Sequence, residues 1–401
     1  MNDRTTQAPA PSAPLVPMGP VSAPTSPAVP AGAAQRATPA GTAAYEGGRA
    51  PRLAPDFFRT MAGGLRASGI GLGTYLGADT DADDHRYTMA IRAAVDGGIN
   101  VIDTAVNYRC QRSERAVGRA LQLLLARDGA LTRDQFVVST KGGYVPLEDC
   151  PPATAEGYQG YLRREFFAPR MLSPAELVGG GHSLAPAFIA DCLRRSRENL
   201  GLGTIDLYYV HNPEQQLPTV PYDELLGRVR AVFELLEEKV SAGEIGSYGV
   251  ATWNGLRVPP GTRGHLSLVD LVRLAREVAG EGHHFTTVQL PVNLAMPEGF
   301  RLGTQAMAGD AGGEHLLPAV QAAAELGLDV VASASLAQGR LADGLPPTIR
   351  ELFPALETDA QRAAAFVRSL PGVTVALVGM KELAHVEEQV RGARIGGSGG
   401  R

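Results

Sequence analysis

The sequence predicts an α/β fold in which eight parallel strands, each followed by a helix, close into a (β/α)8 TIM barrel. Strand-like and helix-like segments alternate along the chain from Phe57 onward. Such alternation predicts right-handed crossovers and a parallel sheet. Eight units in roughly 320 residues suit a closed barrel better than an open sheet. Several strands also end in a titratable residue, as expected where a barrel carries its active site.

The predicted elements follow in chain order. The stretch FFRTMAGGLRASGIGLGTY, 57–75, predicts a short hairpin leading into a first strand that ends near Tyr75. The other strands are predicted at 100–105, 135–141, 205–211, 245–252, 285–292, 330–335 and 373–378. Helices are predicted at 81–96, 113–127, 187–199, 222–242, 266–279, 314–326, 359–370 and 381–390. Acidic residues open the first of these helices and two glycines close it, as the helix dipole and C-cap preferences favour.

Composition divides the chain into unequal parts. Residues 1–50 are dominated by Pro, Ala, Ser, Thr and Gly, so we predict a disordered tail that cannot bury enough surface to offset its ordering entropy. Residues 51–395 form the predicted barrel. The glycine-rich end, 396–401, is predicted to be flexible.

A long insertion interrupts the third unit, at residues 143–186. Connections in compact domains are usually much shorter, and long ones are often functional. The segment contains several aromatic residues and the run GGGHS: Tyr144, Tyr158, Tyr161, Phe166, Phe167 and His182. Two interpretations stay open, a lid over the substrate pocket with His182 facing inward, and a packed surface excursion.

Bulk properties exclude several classes of function. The net charge is −5 and 20% of residues are charged, so no nucleic acid or polyanion partner is expected. Three cysteines without a C-x-x-C pair favour a reducing, cytoplasmic location over a disulfide framework or structural zinc. No apolar run approaches the roughly 20 residues that cross a bilayer, and no secretory signal precedes the domain.

The most informative stretch is INVIDTAVNYRCQRSE, residues 99–114. A buried parallel strand is predicted to end in Asp103, and a polar loop then carries Tyr108. The strands FVVSTK and DLYYVH end in Lys141 and His211. Each residue alone has a structural explanation, such as a cap, a solvated lysine or a packed histidine. Together on one rim they predict a proton-transfer site.

The chemistry explains why these four residue types belong together. A tyrosine with a pKa near 10 is a poor acid at neutral pH. We expect Lys141 to lower the pKa of Tyr108, Asp103 to hold the lysine charged, and His211 to orient a carbonyl oxygen. A general acid of this kind contributes roughly 10²–10⁴ in rate. None of the four donates hydride, so a reducing cofactor is required.

At this point the residues carry a family resemblance. The segments DTAVNY followed by SE, STKGG, IDLYYVHNPE, GVATWNG, VQLPVNL and GMKELAHVEEQV resemble the successive motifs of the aldo-keto reductases, over about 66–391. The resemblance implies a barrel that binds NADPH, sometimes NADH, in extended form and reduces an aldehyde or ketone to an alcohol. It also implies the tetrad Asp103, Tyr108, Lys141 and His211, with Tyr108 as general acid.

The resemblance further implies a set of cofactor-binding residues. Near the nicotinamide it implies Gly73, Thr74, Tyr75, Asp103, Thr252, Asn254, Gln289 and Ser333. For the pyrophosphate and adenosine it implies Ser335, Leu336, Gln338, Arg340, Gly379, Met380, Lys381, Glu388 and Gln389. Two positions depart from the family pattern: Ala251-Thr252 replaces a Ser-Asn pair, for which Asn254 is the candidate substitute, and Ser333 replaces a stacking aromatic. The run GIGLG is not a dinucleotide fingerprint, because the spacing is wrong and no helix follows at once.

Lys381 bears on the choice of cofactor. It opens the last predicted helix, whose N-terminus suits a phosphate, and it can pair with a 2′-phosphate. NADP(H) is therefore favoured over NAD(H), and equal or tighter binding of NADH would contradict this. A solvated helix lysine is the alternative.

Two other functions stay in competition. One is a non-catalytic nicotinamide-binding barrel that serves as a subunit of a larger assembly. The other is a different barrel enzyme, either a metal-dependent hydrolase or an aldolase with Lys141 as Schiff base. No His-x-His pair or carboxylate cluster supports a metal site. The expected partner is a small-molecule carbonyl or alcohol substrate, and the chain is expected to be a monomer or small homo-oligomer.

Overall fold

The computed structural model describes residues 36–127, 131–308 and 313–395. Its strands are β1 Phe58–Thr60, β2 Arg66–Ser68, β3 Ile70–Gly73, β4 Val101–Asp103, β5 Val137–Gly142, β6 Ile205–His211, β7 Ile245–Ala251, β8 Phe285–Pro291, β9 Gln305–Ala308, β10 Glu314–Leu317, β11 Asp329–Ser333 and β12 Val373–Gly379. Its α-helices are α1 Pro39–Arg49, α2 Asp81–Asp96, α3 Arg112–Leu125, α4 Ala155–Leu162, α5 Pro186–Leu200, α6 Tyr222–Ser241, α7 Leu268–Ala279, α8 Glu298–Arg301, α9 Ala319–Glu325, α10 Pro347–Leu352, α11 Asp359–Ser369 and α12 Leu383–Ala393.

Eight of these strands close a parallel barrel, which confirms the predicted (β/α)8 fold. The order around the barrel is β3, β4, β5, β6, β7, β8, β11 and β12, and β12 pairs with β3 to complete the ring. The strands are buried along almost their whole length, because helices cover the outside and side chains fill the inside. Helix α2 and strand β6 have the predicted bounds, and the Thr80 hydroxyl caps α2 by accepting a hydrogen bond from the Asp83 amide.

A hairpin of β1 and β2 precedes the barrel, as predicted. The two strands pair antiparallel, and Met61 and Leu65 from their connection pack against the interior side chains Val101, Val137 and Val375. Because Val101 and Val137 are the first residues of β4 and β5, and Val375 is the third residue of β12, the hairpin covers the N-terminal end of the barrel. The opposite end, where the strands finish, is left for the site.

The prediction of disorder for residues 1–50 is wrong for residues 39–49, which form helix α1. Thr38 caps this helix by accepting a hydrogen bond from the Gly41 amide, and Pro39 occupies its first turn. Residues 1–35 lie outside the described residues, as do 396–401, so those parts of the tail predictions are not addressed.

One aromatic side chain explains why this alanine- and glycine-rich helix folds. Tyr45 is 3% exposed, and its ring lies edge-on against Phe58 and Phe136, with ring centres 6.2 and 5.9 Å away. Its hydroxyl donates a hydrogen bond to the Val95 carbonyl. A single anchor supplies the apolar burial that the composition of the segment lacks.

The helix predicted at 314–326 is also partly wrong. Residues Glu314–Leu317 form β10, which pairs antiparallel with β9, and the helix begins only at Ala319. Pro318 stands at its N-cap, where the missing amide hydrogen costs no helical hydrogen bond. Strand β10 is exposed at Glu314, His315 and Leu316, so its local sequence shows no strand-like burial pattern.

The insertion at 143–186 is structured. It contains α4 and a π-helical turn, Arg163–Phe167, which the sequence analysis did not predict. Phe166 is buried against Phe188 of α5, with ring centres 5.3 Å apart, and the Arg195 guanidinium lies over its ring. Phe166 therefore packs on the flank of the barrel, against α5. Among the residues described, no helix is long and apolar enough to span a membrane.

Candidate active site

A cavity of about 880 Å³ lies at the C-terminal ends of the barrel strands. The predicted site residues that line it are Gly73, Thr74, Tyr75, Asp103, Tyr108, His211, Thr252, Gln289, Ser333, Ser335, Leu336, Gln338, Gly379, Met380, Lys381, Glu388 and Gln389. Lys141 lies directly beneath the floor, while Asn254 and Arg340 do not line the cavity.

The floor is built on a buried ion pair. The Lys141 ammonium donates to Asp103 Oδ2 at 2.5 Å and to the Thr104 carbonyl at 2.7 Å. The other Asp103 oxygen accepts from the Ser139 hydroxyl at 2.8 Å and from the Gln289 amide at 3.0 Å. Burial lowers the pKa of Lys141, and the adjacent carboxylate opposes that shift. The carboxylate is thus fixed from three sides.

Tyr108 stands beside this pair, with Lys141 Nζ 5.0 Å from the centre of its ring. Burial raises the pKa of Tyr108 well above its usual value, and the negative charge of Asp103 adds to the rise. The pKa of Tyr108 is therefore not lowered as expected, because burial and the nearby Asp103 charge both raise it. The phenol keeps its proton at neutral pH, as a proton donor must.

His211 forms the neighbouring edge of the floor, with its ring centre 5.9 Å from that of Tyr108. Burial lowers the pKa of His211 well below its usual value, and the Lys141 charge lowers it further. The imidazole is therefore neutral at pH 7. Its Nδ1 atom is buried and finds no hydrogen-bond partner within the described parts of the chain.

A strained turn holds Tyr108 in place. Arg109, Cys110 and Gln111 follow it with φ values of 48°, 52° and 70°, a left-handed conformation that non-glycine residues seldom adopt. The Arg109 guanidinium donates to Asp84 of α2 at 2.6 Å, and the Gln111 amide donates to the Leu147 carbonyl at 3.0 Å. Contacts to two distant segments thus stabilise backbone that is unfavourable by itself.

The site contains an aromatic wall of which the sequence analysis assigned only Tyr75. Tyr75, Tyr144 and Trp253 line the cavity near Tyr108, and Tyr75 packs edge-on against Tyr108 at 5.0 Å. Tyr75 is 56% exposed and Trp253 is 37% exposed, which is unusual for large apolar side chains outside a binding site. Trp253 is the single tryptophan of the chain, and this is the feature of the sequence that could have marked it as a site residue.

Two amide side chains, Asn107 and Asn212, complete the same wall. They were also missed, because nothing in their local sequence marks them. Of the insertion 143–186, which is described throughout, Tyr144 alone lines the cavity. His182 does not face into the cavity, contrary to the prediction, while a lid function of the insertion stays a prediction.

Comparison with known proteins agrees with this geometry. Residues 69–258 match the model of the "Aldo/keto reductase family", and that match spans both the tyrosine turn and the strand that ends in His211. Over residues 69–258, just under half of its length, the chain is similar to the aldo/keto reductase family.

The chain also matches individual proteins in part. It is 29% identical to "Aldo-keto reductase YhdN" from Bacillus subtilis over 48% of this chain and 45% of that protein. It is 29% identical to a "D-threo-aldose 1-dehydrogenase" from Pseudomonas sp over 43% of this chain and 45% of that protein. These matches span less than half the length of either relative. An aldo/keto reductase from Klebsiella pneumoniae, solved with NADP and acetate, shares the fold with a TM-score of 0.54, 22% identity, and coverage of 85% and 90% of the two chains.

The aldo/keto reductase motif GVATWNG is arranged differently from expectation. The Thr252 hydroxyl donates to Glu214 at 2.7 Å, and the same carboxylate oxygen accepts from the amides of Trp253 and Asn254. The Asn254 side chain points to Arg257 instead of the cavity. Asn254 does not line the cavity, so its role at the nicotinamide stays a prediction.

The loop after β11 has a backbone suited to anions. Ala334, Ala337, Gln338 and Gly339 all have positive φ, a conformation that occurs in anion-binding turns. The amides of Ala337 and Gly339 donate to carbonyls of the same loop. Arg340 was predicted to meet the pyrophosphate, but its guanidinium donates to the Ala337 carbonyl at 3.1 Å and does not line the cavity. Ser335, Leu336, Gln338 and Gly339 of this loop line the cavity, and this arginine does not.

Lys381 occupies the far end of the cavity, before helix α12. Its ammonium lies 2.8 Å from Asp83 Oδ2, an oxygen that also accepts from the Ala78 amide at 2.7 Å. Arg86 donates to the other Asp83 oxygen at 2.9 Å. These cations and hydrogen bonds outweigh burial and hold the pKa of Asp83 at about 2. Among the described residues, no group of three or more His, Cys, Asp or Glu residues is placed to hold a metal ion.

Proposed function

We propose that this protein is an NAD(P)H-dependent oxidoreductase that reduces an aldehyde or ketone to an alcohol, with NADPH as the preferred cofactor and Tyr108 as general acid. One observation carries the proposal. A protonated phenol, a buried Lys141–Asp103 pair and a neutral His211 meet at one end of a cavity of about 880 Å³. Ligand sites of that volume accept a cofactor together with a small substrate.

The residues present fit a dinucleotide. The left-handed loop at 334–339 suits the pyrophosphate, and Lys381 with the N-terminus of α12 suits a phosphate at the adenosine end. Gln289 and Ser333 line the cavity between that end and Tyr108. When bound, the reduced nicotinamide supplies the hydride that the protein lacks.

The side chains of the floor then perform the proton chemistry. The Tyr108 hydroxyl donates its proton to the substrate oxygen as negative charge develops there. Lys141, held by Asp103, stabilises the phenolate that this transfer leaves behind. Neutral His211 donates a hydrogen bond that orients the substrate carbonyl. Because the Lys141–Asp103 pair is already buried and aligned, its response costs little reorganisation.

The comparisons support the same chemistry. A relative named as an aldose dehydrogenase favours interconversion of a carbonyl and an alcohol, and a fold neighbour solved with NADP favours NADP(H). The substrate is proposed only as a neutral aldehyde or ketone, since the wall beside Tyr108 consists of aromatic and amide side chains.

The first experiment needs no knowledge of the substrate. Titration with NADPH and with NADH, followed by nicotinamide fluorescence, should show saturable NADPH binding with a Kd on the order of 1 µM, or about −8 kcal/mol. A panel of aldehydes and ketones then tests turnover. Binding without turnover of any carbonyl would favour the non-catalytic subunit, and borohydride trapping without nicotinamide would favour a Schiff base on Lys141.

Tyr108→Phe tests the acid directly. It should lower kcat by roughly 10²–10⁴ while leaving the NADPH Kd within about twofold, since the ring remains and only the proton donor is lost. Tyr158→Phe is the matched control, because its hydroxyl donates to the Gly180 carbonyl away from the cavity. Retention of most activity by Tyr108→Phe would remove Tyr108 from the acid role.

A further inference from the structure

The carbonyl of His211 has an unusual hydrogen-bond partner. Strand β5 pairs with β6 only as far as Gly142 and Val210, so its backbone leaves the barrel one residue before His211. At that point the side chain of His182, from the insertion, lies with Nε2 2.7 Å from the His211 carbonyl oxygen. The His182 side chain is thus the hydrogen-bond partner of the last residue of β6, His211, at a position that the β5 backbone does not reach.

The tautomer of His182 follows from its other contacts. The side-chain nitrogen of Gln216, Nε2, lies 2.7 Å from His182 Nδ1, and the side-chain oxygen of Gln216, Oε1, accepts a hydrogen bond from the Arg228 guanidinium. Because arginine only donates, it fixes the orientation of the amide, so Gln216 donates to Nδ1. His182 must then carry its proton on Nε2 and donate it to His211. Burial lowers the pKa of His182 to about 4, so this neutral form holds at pH 7.

The same histidine supports the substrate wall. The Tyr144 ring lies between two imidazoles, with centres 4.9 Å from that of His182 and 5.0 Å from that of His211. The Tyr144 hydroxyl accepts a hydrogen bond from the Asn212 amide at 3.0 Å. Both Tyr144 and Asn212 line the cavity, so three of its residues depend on one side chain that does not line it.

The backbone leaves little freedom at this junction. Residues Tyr144 and His182 form an antiparallel bridge, and the Ser183 amide donates to the Gly143 carbonyl at 2.8 Å. Gly143 has φ +146°, and a Cβ there would lie 2.9 Å from the His211 oxygen and 3.0 Å from His182 Nε2. Only glycine admits this close approach.

We propose that His182 is a positioning residue for the reaction, which orients His211 through its carbonyl and Tyr144 through its ring. This inference rests on the function proposed above and names a role for the insertion. His182 touches neither substrate nor cofactor; it is 3% exposed and lies behind the wall. Through His182, the insertion 143–186 therefore holds the residues on the substrate side of the cavity in position.

A pair of amide variants separates this role from simple packing. In His182→Gln the side-chain amide nitrogen reaches the position of Nε2 and donates to His211, while its oxygen accepts from Gln216. His182→Asn is equally polar but one methylene shorter, so it cannot reach the carbonyl. His315→Asn is the control, since His315 is exposed on β10.

The expected results are specific to positioning. His182→Asn should lower kcat/KM by roughly 10- to 100-fold, because small displacements of catalytic groups cost about that much. His182→Gln should stay within about fivefold of wild type, and the NADPH Kd should change less than about twofold in both variants. Equal activity of the Gln and Asn variants would overturn the proposal, as would a parallel loss of cofactor binding.

Failure of this inference differs from failure of the proposed function. If wild type reduces carbonyls and Tyr108→Phe does not, while His182→Asn matches wild type, only the role of His182 falls. If wild type reduces none of the carbonyls, the catalytic role of His182 falls with the proposed function. Nitrogen NMR of the imidazole rings adds a readout independent of turnover, since His182 should be an Nε2–H tautomer; an Nδ1–H tautomer would overturn the hydrogen bond to His211.

Discussion

The ion pair between Lys381 and Asp83 makes cofactor preference a measurable consequence of one contact. Lys381 is the cation that the proposed 2′-phosphate would meet, yet its ammonium is held 2.8 Å from the Asp83 carboxylate. That carboxylate is buried and, with a pKa of about 2, stays ionised over the whole working range. A bound 2′-phosphate must therefore share Lys381 with Asp83.

The magnitude follows from charge and exposure. Two unit charges 4 Å apart attract by about 4 kcal/mol at an effective dielectric constant near 20. The Lys381 side chain is 30% exposed, and the opposing charge of Asp83 cancels part of the attraction. A net contribution of about 1.4 kcal/mol is left, so Lys381→Gln should weaken NADPH binding roughly tenfold. NADH lacks the phosphate and should lose less than about twofold.

Asp83→Asn tests whether the Asp83 carboxylate and the 2′-phosphate compete for Lys381. Removing the carboxylate charge frees Lys381, so NADPH should bind as tightly as to wild type or several-fold more tightly, with NADH unchanged. Fluorescence titrations of both cofactors at low and high salt provide the measurement, and the difference should shrink with salt as a partly exposed charge is screened. Lys239→Gln is the control, because Lys239 pairs with Glu244 at the end of α6. Equal losses of NADPH and NADH affinity in Lys381→Gln would refute the reasoning.

Two further predictions concern stability. Asp103→Asn leaves Lys141 buried without its carboxylate, so the free energy of unfolding should fall by about 3–5 kcal/mol in a urea titration at pH 7; an unchanged midpoint would show that the pair contributes nothing. The His182 pKa of about 4 means that the unfolded chain takes up a proton first as the pH falls. Stability is therefore complete above about pH 6.5 and should decline by about 3 kcal/mol between pH 6.5 and pH 4. His182→Gln should flatten that part of the pH profile, and a curve parallel to wild type would contradict the assignment.

The barrel and the predicted tetrad were accessible from the sequence because their signals are local. The alternation of buried strands with amphipathic helices is a property of neighbouring residues, and it located β6 and α2 to the residue. A titratable residue at a strand end reaches the same rim of any barrel, so Asp103 and His211 were placed by topology before any contact was known. The family motifs extended that placement to most of the cavity lining.

Helix α1 shows where local reasoning fails. Its composition predicts disorder, and distant contacts stabilise it, among them those of Tyr45 with Phe58 and Phe136 and the ion pair of Glu46 with Arg66. The β9–β10 hairpin was missed for the opposite reason, since the cross-strand pairing of Glu314–Leu317 leaves no buried pattern in its own sequence. In both cases the decisive partners lie elsewhere in the chain.

The electrostatics of the site belong to the tertiary structure as well. Asp103 is fixed by Gln289, 186 residues away, and Lys381 is paired with Asp83, 298 residues away. The sequence analysis expected a lowered pKa for Tyr108, but burial and the Asp103 charge raise it. The sequence by itself determined the fold and the residue types at its open end. Burial and long-range contacts decided which of those groups are charged, which are held by other side chains and which face the cavity. Both depend on the whole folded chain, so local sequence does not reveal them.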